Sequence, residues 1–156
     1  SMKRARRTAA TTAHRAWQPP PKPGTHPPDL VFEPTAHGVC DSAVVWLHGL
    51  DDTAENWAER LTAARLRHPR WRWVHCRAPE RRIRCYASKL HTAWGDFADT
   101  GAVCVGSVDH DSRDAKGWYG QSVQAVHATV RSLVAQGVPM RRIALVGFSQ
   151  GAALAA

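Results

Sequence analysis

No apolar rhythm is visible before about Leu30; from there on, unbroken apolar runs alternate with apolar residues at helical spacing. Ala43-Val44-Val45-Trp46-Leu47 is a short continuous run of the kind that fills a parallel strand covered on both faces. After it, Trp57, Leu61 and Ala64 share one stripe, which predicts a helix over 54–66. Its expected N-cap is Asp52, with Glu55 three residues on as the reciprocal partner. His68-Pro69-Arg70 closes that helix, and the β-prone residues 72–76 predict a second core strand ended by Ala78-Pro79. Residues 80–116 then read as a long irregular stretch, and loops of that length inside a domain are commonly binding loops or lids. Val123, Val126, Val130, Leu133 and Val134 recur at helical spacing over 120–136, with Gly137 and Pro139 as the stop. Residues 141–146 form the next apolar strand, and 152–156 begin another helix. The alternation of strands and helices predicts an α/β protein with a mainly parallel sheet.

Composition changes this picture at one end only. The 156 residues carry a formal charge of +8, but Lys3, Arg4, Arg6, Arg7, Arg15 and Lys22 all precede Pro28 with no acid among them. The basic character therefore belongs to a tail, residues 1–28, whose second half is proline-dense and favours extended conformations, while residues 29–156 form the folded domain. A solvated extension is the ordinary role of such a tail, and nucleic acid is not the expected partner. The tail is also Arg-rich and hydroxyl-bearing like an organelle transit peptide, so the expected location is the cytoplasm with an organelle as the alternative. No stretch has the length and apolarity of a membrane span. Cys40, Cys76, Cys85 and Cys104 show neither a C-x-x-C pair nor zinc-ligand spacing, so free thiols and no metal site are expected.

The chemistry concentrates where strand 141–146 runs into Gly147-Phe148-Ser149-Gln150-Gly151. A G-x-S-x-G turn between strand and helix presents a serine hydroxyl above the sheet at the positive end of a helix, with Gly147 and Gly151 allowing the sharp bend. Ser149 is therefore the candidate nucleophile.

Three blocks carry a resemblance to the acyl-protein thioesterase and carboxylesterase (lysophospholipase-like) family of α/β-hydrolases. They are Val44 to Thr53 with its His48-Gly49-Leu50-Asp51-Asp52 turn; Ala78-Pro79 together with Thr92-Ala93-Trp94-Gly95-Asp96-Phe97; and Arg142 to Leu154 around Gly-Phe-Ser-Gln-Gly. The tail and residues 101–114 lie outside it. The resemblance implies the N-terminal part of an α/β-hydrolase fold whose C-terminal strands are missing. It implies a serine esterase or thioesterase without a cofactor, acting on acylated proteins or small esters.

By the same resemblance, Ser149 is the nucleophile and the backbone N–H groups of Leu50 and Gln150 form the oxyanion hole. His48 supports its loop rather than acting as base. Trp94 and Asp96 either flank the acyl site or are structural, Trp94 by packing and Asp96 by capping a turn. Asp51 replaces a glycine, so a positive φ there is strained, and its charge opposes an oxyanion unless it faces solvent. Gly95 replaces an aromatic. Asp109, His110 and Asp111 are better read as a polar loop than as a substitute acid and base. The family's acid and histidine follow the nucleophile, and no residue of 150–156 can be either, so the chain is expected to be nearly inactive alone. The alternative is a non-catalytic hydrolase-like binding module. Oligomeric state is not legible.

Overall fold

The apolar runs pair as expected and gain one strand. The computed structural model describes residues 25–36, 40–97 and 114–156. The tail up to residue 24 and the Asp109-His110-Asp111 cluster lie outside them. A four-stranded sheet has the order β1 (Leu30–Phe32), β3 (Trp71–Cys76), β2 (Ser42–Leu47), β6 (Ile143–Gly147). β2 is central and parallel to both neighbours, Val45 facing Val74 on one side and Leu145 on the other. That placement explains its unbroken apolar sequence. β1 was not foreseen; three residues carry too little pattern to mark a strand, and it runs antiparallel along the outer edge of β3.

Helices cover both faces. Ala43, Val45 and Leu47 point toward α3 (Trp118–Ala135), where Val126 and Leu133 meet them in one buried cluster with Val74, Cys76 and Trp94. Val123 and Val134, expected on the inner stripe, are partly exposed, and Ser122 takes an inner place instead. On the opposite face lie α1 (Ala54–Arg60) and α2 (Thr62–Arg67). The single helix expected over 54–66 is thus broken at Leu61, and its buried contacts come from Ala54 and Ala58, while Trp57 leans on Trp46 with ring centroids 4.7 Å apart. The N-cap also moves by one residue. Thr53 Oγ1 accepts from Asn56 N at 3.1 Å, whereas Glu55 is ion-paired with Arg77.

Residues 80–116 are not irregular throughout. β4 (Glu80–Ile83) and β5 (Lys89–Thr92) form an antiparallel hairpin with Glu80 facing Thr92. Its turn passes through a 3-10 segment, Arg84–Tyr86, with Ala87 and Ser88 both at positive φ, a link without the glycine that usually signals a hairpin. Among the described residues, His26 already packs on the body, its ring stacking on Trp94, and Asp29 accepts from Thr129 Oγ1 at 2.7 Å. β6 leads into α4 (Gln150–Ala155) and, among the described residues, has a strand on one side only. No helix among these residues is long and apolar enough to cross a membrane. Among the described residues Cys40, Cys76 and Cys85 form no disulfide, and Cys104 lies outside them.

Candidate active site

Ser149 sits between β6 and α4 with φ 52° and ψ −121°, a conformation that L-residues rarely hold. The bend is therefore in the serine, not in the glycines, neither of which has a positive φ. Those glycines serve close approach instead. A Cβ on Gly147 would lie 2.2 Å from Gly151 O, and one on Gly151 would lie 2.3 Å from Leu47 O. Strand, turn and helix thus pack backbone to backbone, and the turn holds its shape because no side chain intervenes.

The turn after β2 abuts this elbow. A Cβ on Gly49 would come within 3.4 Å of Ser149 Cβ and 3.2 Å of Phe148 Cδ1. Among the described residues, the N–H groups of Leu50, beside Gly49, and of Gln150, in the first turn of α4, have no acceptor. Two unpaired donors flanking an exposed hydroxyl can stabilise a negative oxygen. Asp51 has φ 59°, so the positive φ that aspartate in place of glycine makes costly is present. Its side chain is 64 % exposed and lies 2.9 Å from His91 Nδ1, so its charge is turned outward.

His48 is not placed to act as a base. It is buried, its Nδ1 lies 2.8 Å from Gly49 O, and its Nε2 accepts from Ala78 N at 3.1 Å. Both ring nitrogens are engaged by backbone in the neutral tautomer, and burial pushes its pKa down. The ring braces its own loop. No histidine among the described residues is hydrogen-bonded to Ser149.

Trp94 and Asp96 both lie inside the protein. Trp94 donates Nε1–H to His48 O at 2.7 Å and its carbonyl accepts from Ser122 Oγ at 2.7 Å. Asp96, 1 % exposed, accepts from Arg84 Nε at 2.7 Å and Lys116 Nζ at 2.8 Å. Burial raises the Asp96 pKa, but these cations and the Arg84 N–H outweigh it and hold the carboxyl below its ordinary range. The missing aromatic at Gly95 is compensated through space, because a Cβ there would fall 2.1 Å from the ring of Tyr119. Tyr119 of α3 occupies that volume.

One group went unforeseen. The Gln150 side chain, considered only for its backbone, is buried; its Oε1 accepts from Trp94 N at 2.9 Å and its Nε2 donates to Gly95 O at 3.1 Å and to Tyr119 Oη at 3.3 Å. A glutamine following the elbow serine, with donor and acceptor on one short stem, was the available signal. Phe148, 53 % exposed, packs at 5.1 Å on Trp57, whose Nε1 donates to Asp52 Oδ2 at 2.7 Å. Among the described residues no three metal-ligating side chains converge.

Residues 36–156 match the model of the phospholipase/carboxylesterase family. The chain belongs to that family. Its members include a probable carboxylesterase of Oryza sativa subsp. japonica, 33 % identical over 72 % of this chain and 41 % of the relative. Acyl-protein thioesterase 1 of Saccharomyces cerevisiae is 29 % identical over 72 % of this chain and 48 % of its own length. The crystal structure of Zea mays acyl-protein thioesterase 2 superposes with a TM-score of 0.55 at 32 % identity, covering 81 % of this chain and 48 % of that one. Arabidopsis thaliana SOBER1 gives 0.62 at 25 % identity, with 73 % and 52 % covered. The phospholipase/carboxylesterase chain described here therefore has part of an α/β-hydrolase fold, and it spans about half the length of the relatives it matches.

Proposed function

We propose that this chain carries the nucleophile and oxyanion hole of a serine esterase whose substrates are thioesters of acylated proteins or small carboxylic esters. The single observation that carries the reading is the backbone of Ser149, held at positive φ beside two N–H groups that have no acceptor among the described residues. In this reaction Ser149 Oγ attacks the acyl carbonyl, its proton passes to a base, and the carbonyl oxygen becomes an oxyanion facing the N–H groups of Leu50 and Gln150. The leaving thiol or alcohol takes a proton as the tetrahedral intermediate collapses, and water then releases the acid from the acyl-serine. No cofactor enters these steps. Trp94 and Asp96 serve the site by positioning: Trp94 fixes the carbonyl of His48, and Asp96 anchors the hairpin.

The base is not His48, whose nitrogens are both engaged. An acid and a histidine from beyond residue 156 complete the triad under this proposal, and residues 1–156 alone turn over slowly. A fluorophosphonate probe tests the reading on the complete gene product. Labelling that disappears in Ser149→Ala supports it; a folded protein that takes no label makes this a non-catalytic hydrolase-like module instead.

A further inference from the structure

Four contacts from one continuous segment fix the loop between β2 and α1. Trp94 Nε1 donates to His48 O at 2.7 Å, Asp51 N donates to Thr92 O at 2.9 Å, and Thr92 Oγ1 donates to Asp52 O at 2.7 Å. The fourth is the approach of His91 Nδ1 to Asp51 Oδ1 at 2.9 Å. The loop is tied on both sides of Leu50, and the Leu50 N–H is the donor left open among the described residues.

The fourth contact answers a difficulty that the sequence created. Residue 51 stands at φ 59°, which glycine adopts freely and an L side chain resists by about tenfold in population. A partner eases an aspartate there, and His91 is placed to be one: its buried Nδ1 meets the carboxylate as a close polar contact lying off the hydrogen-bond direction. Its side chain is 19 % exposed, it belongs to β5, and its ring rests on Tyr86 with centroids 4.7 Å apart. The same contact draws the carboxylate toward the hairpin.

We propose that His91 is a positioning residue: by holding the Asp51 carboxylate it keeps residue 51 in the left-handed conformation and so aims the Leu50 N–H at the space beside Ser149. This rests on the reading of Leu50 as an oxyanion donor. The hairpin is then mechanically part of the oxyanion hole, although none of its atoms touches the substrate.

The test compares wild type, His91→Ala, Asp51→Gly and the double variant in the complete gene product, with kcat and KM measured on p-nitrophenyl acetate and amide hydrogen exchange followed at positions 49–52. His91→Ala is expected to lower kcat about tenfold with KM unchanged and to speed exchange at position 51 by a similar factor. In the Asp51→Gly background the same substitution is expected to change neither by more than about twofold, because glycine needs no anchor. His91→Asn, whose side-chain amide nitrogen falls near the Nδ1 position, is expected to keep kcat within about twofold of wild type. Equal losses in both backgrounds, or no effect of His91→Ala alone, overturn the proposal, and so does a tenfold loss in a folded His91→Asn. If no variant, wild type included, hydrolyses the ester, the esterase reading fails separately and the exchange pattern by itself decides the role of His91.

Discussion

Around Ser149, backbone closeness does what side chains do elsewhere, and that sets how single substitutions act. Gly151→Ala pushes a methyl to within 2.3 Å of Leu47 O, a fixed strand carbonyl that cannot move without breaking the pairing of β2 with β6. A loss near the upper end of the 1–3 kcal/mol range for overpacking is expected, read as a lower midpoint in urea unfolding. Gln150→Ala removes the acceptor that Trp94 N uses and the donor that Gly95 O uses. Leaving such groups buried and unpaired costs about 1–3 kcal/mol, while the elbow backbone itself is untouched. The sequence displayed Ser149, Gly147 and Gly151 because their spacing is local. It hid the Gln150 side chain, Tyr119 beneath Gly95 and the His91–Asp51 contact, because those partners are 24 to 56 residues apart and no short-range rule connects them.

The elements tell the same story in their boundaries. α1 is capped by Thr53, but Asp52 holds more of the turn: it accepts from Thr53 N at 2.8 Å, Asn56 Nδ2 at 3.0 Å and Trp57 Nε1 at 2.7 Å. Burial raises the Asp52 pKa, and these three donors outweigh it and hold the carboxyl below its ordinary value. Thr53→Ala is expected to cost about 1 kcal/mol, as helix caps do, and Asp52→Ala more, since Trp57 and through it Phe148 also lose their anchor. Urea unfolding of the two variants checks the order. The hairpin depends likewise on Asp96. In Asp96→Asn the two cations left behind are 45 % and 37 % exposed and regain water, so the cost is that of weakened hydrogen bonds, about 1–3 kcal/mol, rather than that of a stranded buried charge. Helices and central strands were legible from periodicity. β1 and the hairpin were not, because a three-residue edge strand and polar, arginine-rich strands lack the alternation that marks a half-buried sheet.

For the molecule as a whole, acid is the revealing stress. His75 is 0 % exposed, neither ring nitrogen has a hydrogen-bond partner among the described residues, and burial, aided by the charge of Arg65, lowers its pKa to about 4. The unfolded chain binds this proton near pH 6.5 and the folded chain only near 4, so stability is full above 6.5 and falls as the pH drops between those values. The loss from this one ring is on the order of 3 kcal/mol. Asp52 and Asp96 act in the same direction lower down, their contribution being lost as pH falls below the ordinary carboxylate range. His75→Phe, which keeps the stacking on Trp73 and the edge contact with Phe32, is expected to flatten the slope between pH 6.5 and 4 in thermal unfolding. An unchanged slope would assign the acid sensitivity to other groups.

The buried amide of Gln150 has a last implication. It joins the elbow to Trp94, to Gly95 and to a tyrosine on α3, so three stretches of chain made at different times must all arrive before the turn is complete. Closing such distant contacts is the slow part of assembly. Ser149 thus acquires its backbone shape only with the surrounding architecture, and under the proposed esterase reading its labelling by an electrophile becomes a gauge of how much of the protein has finished folding.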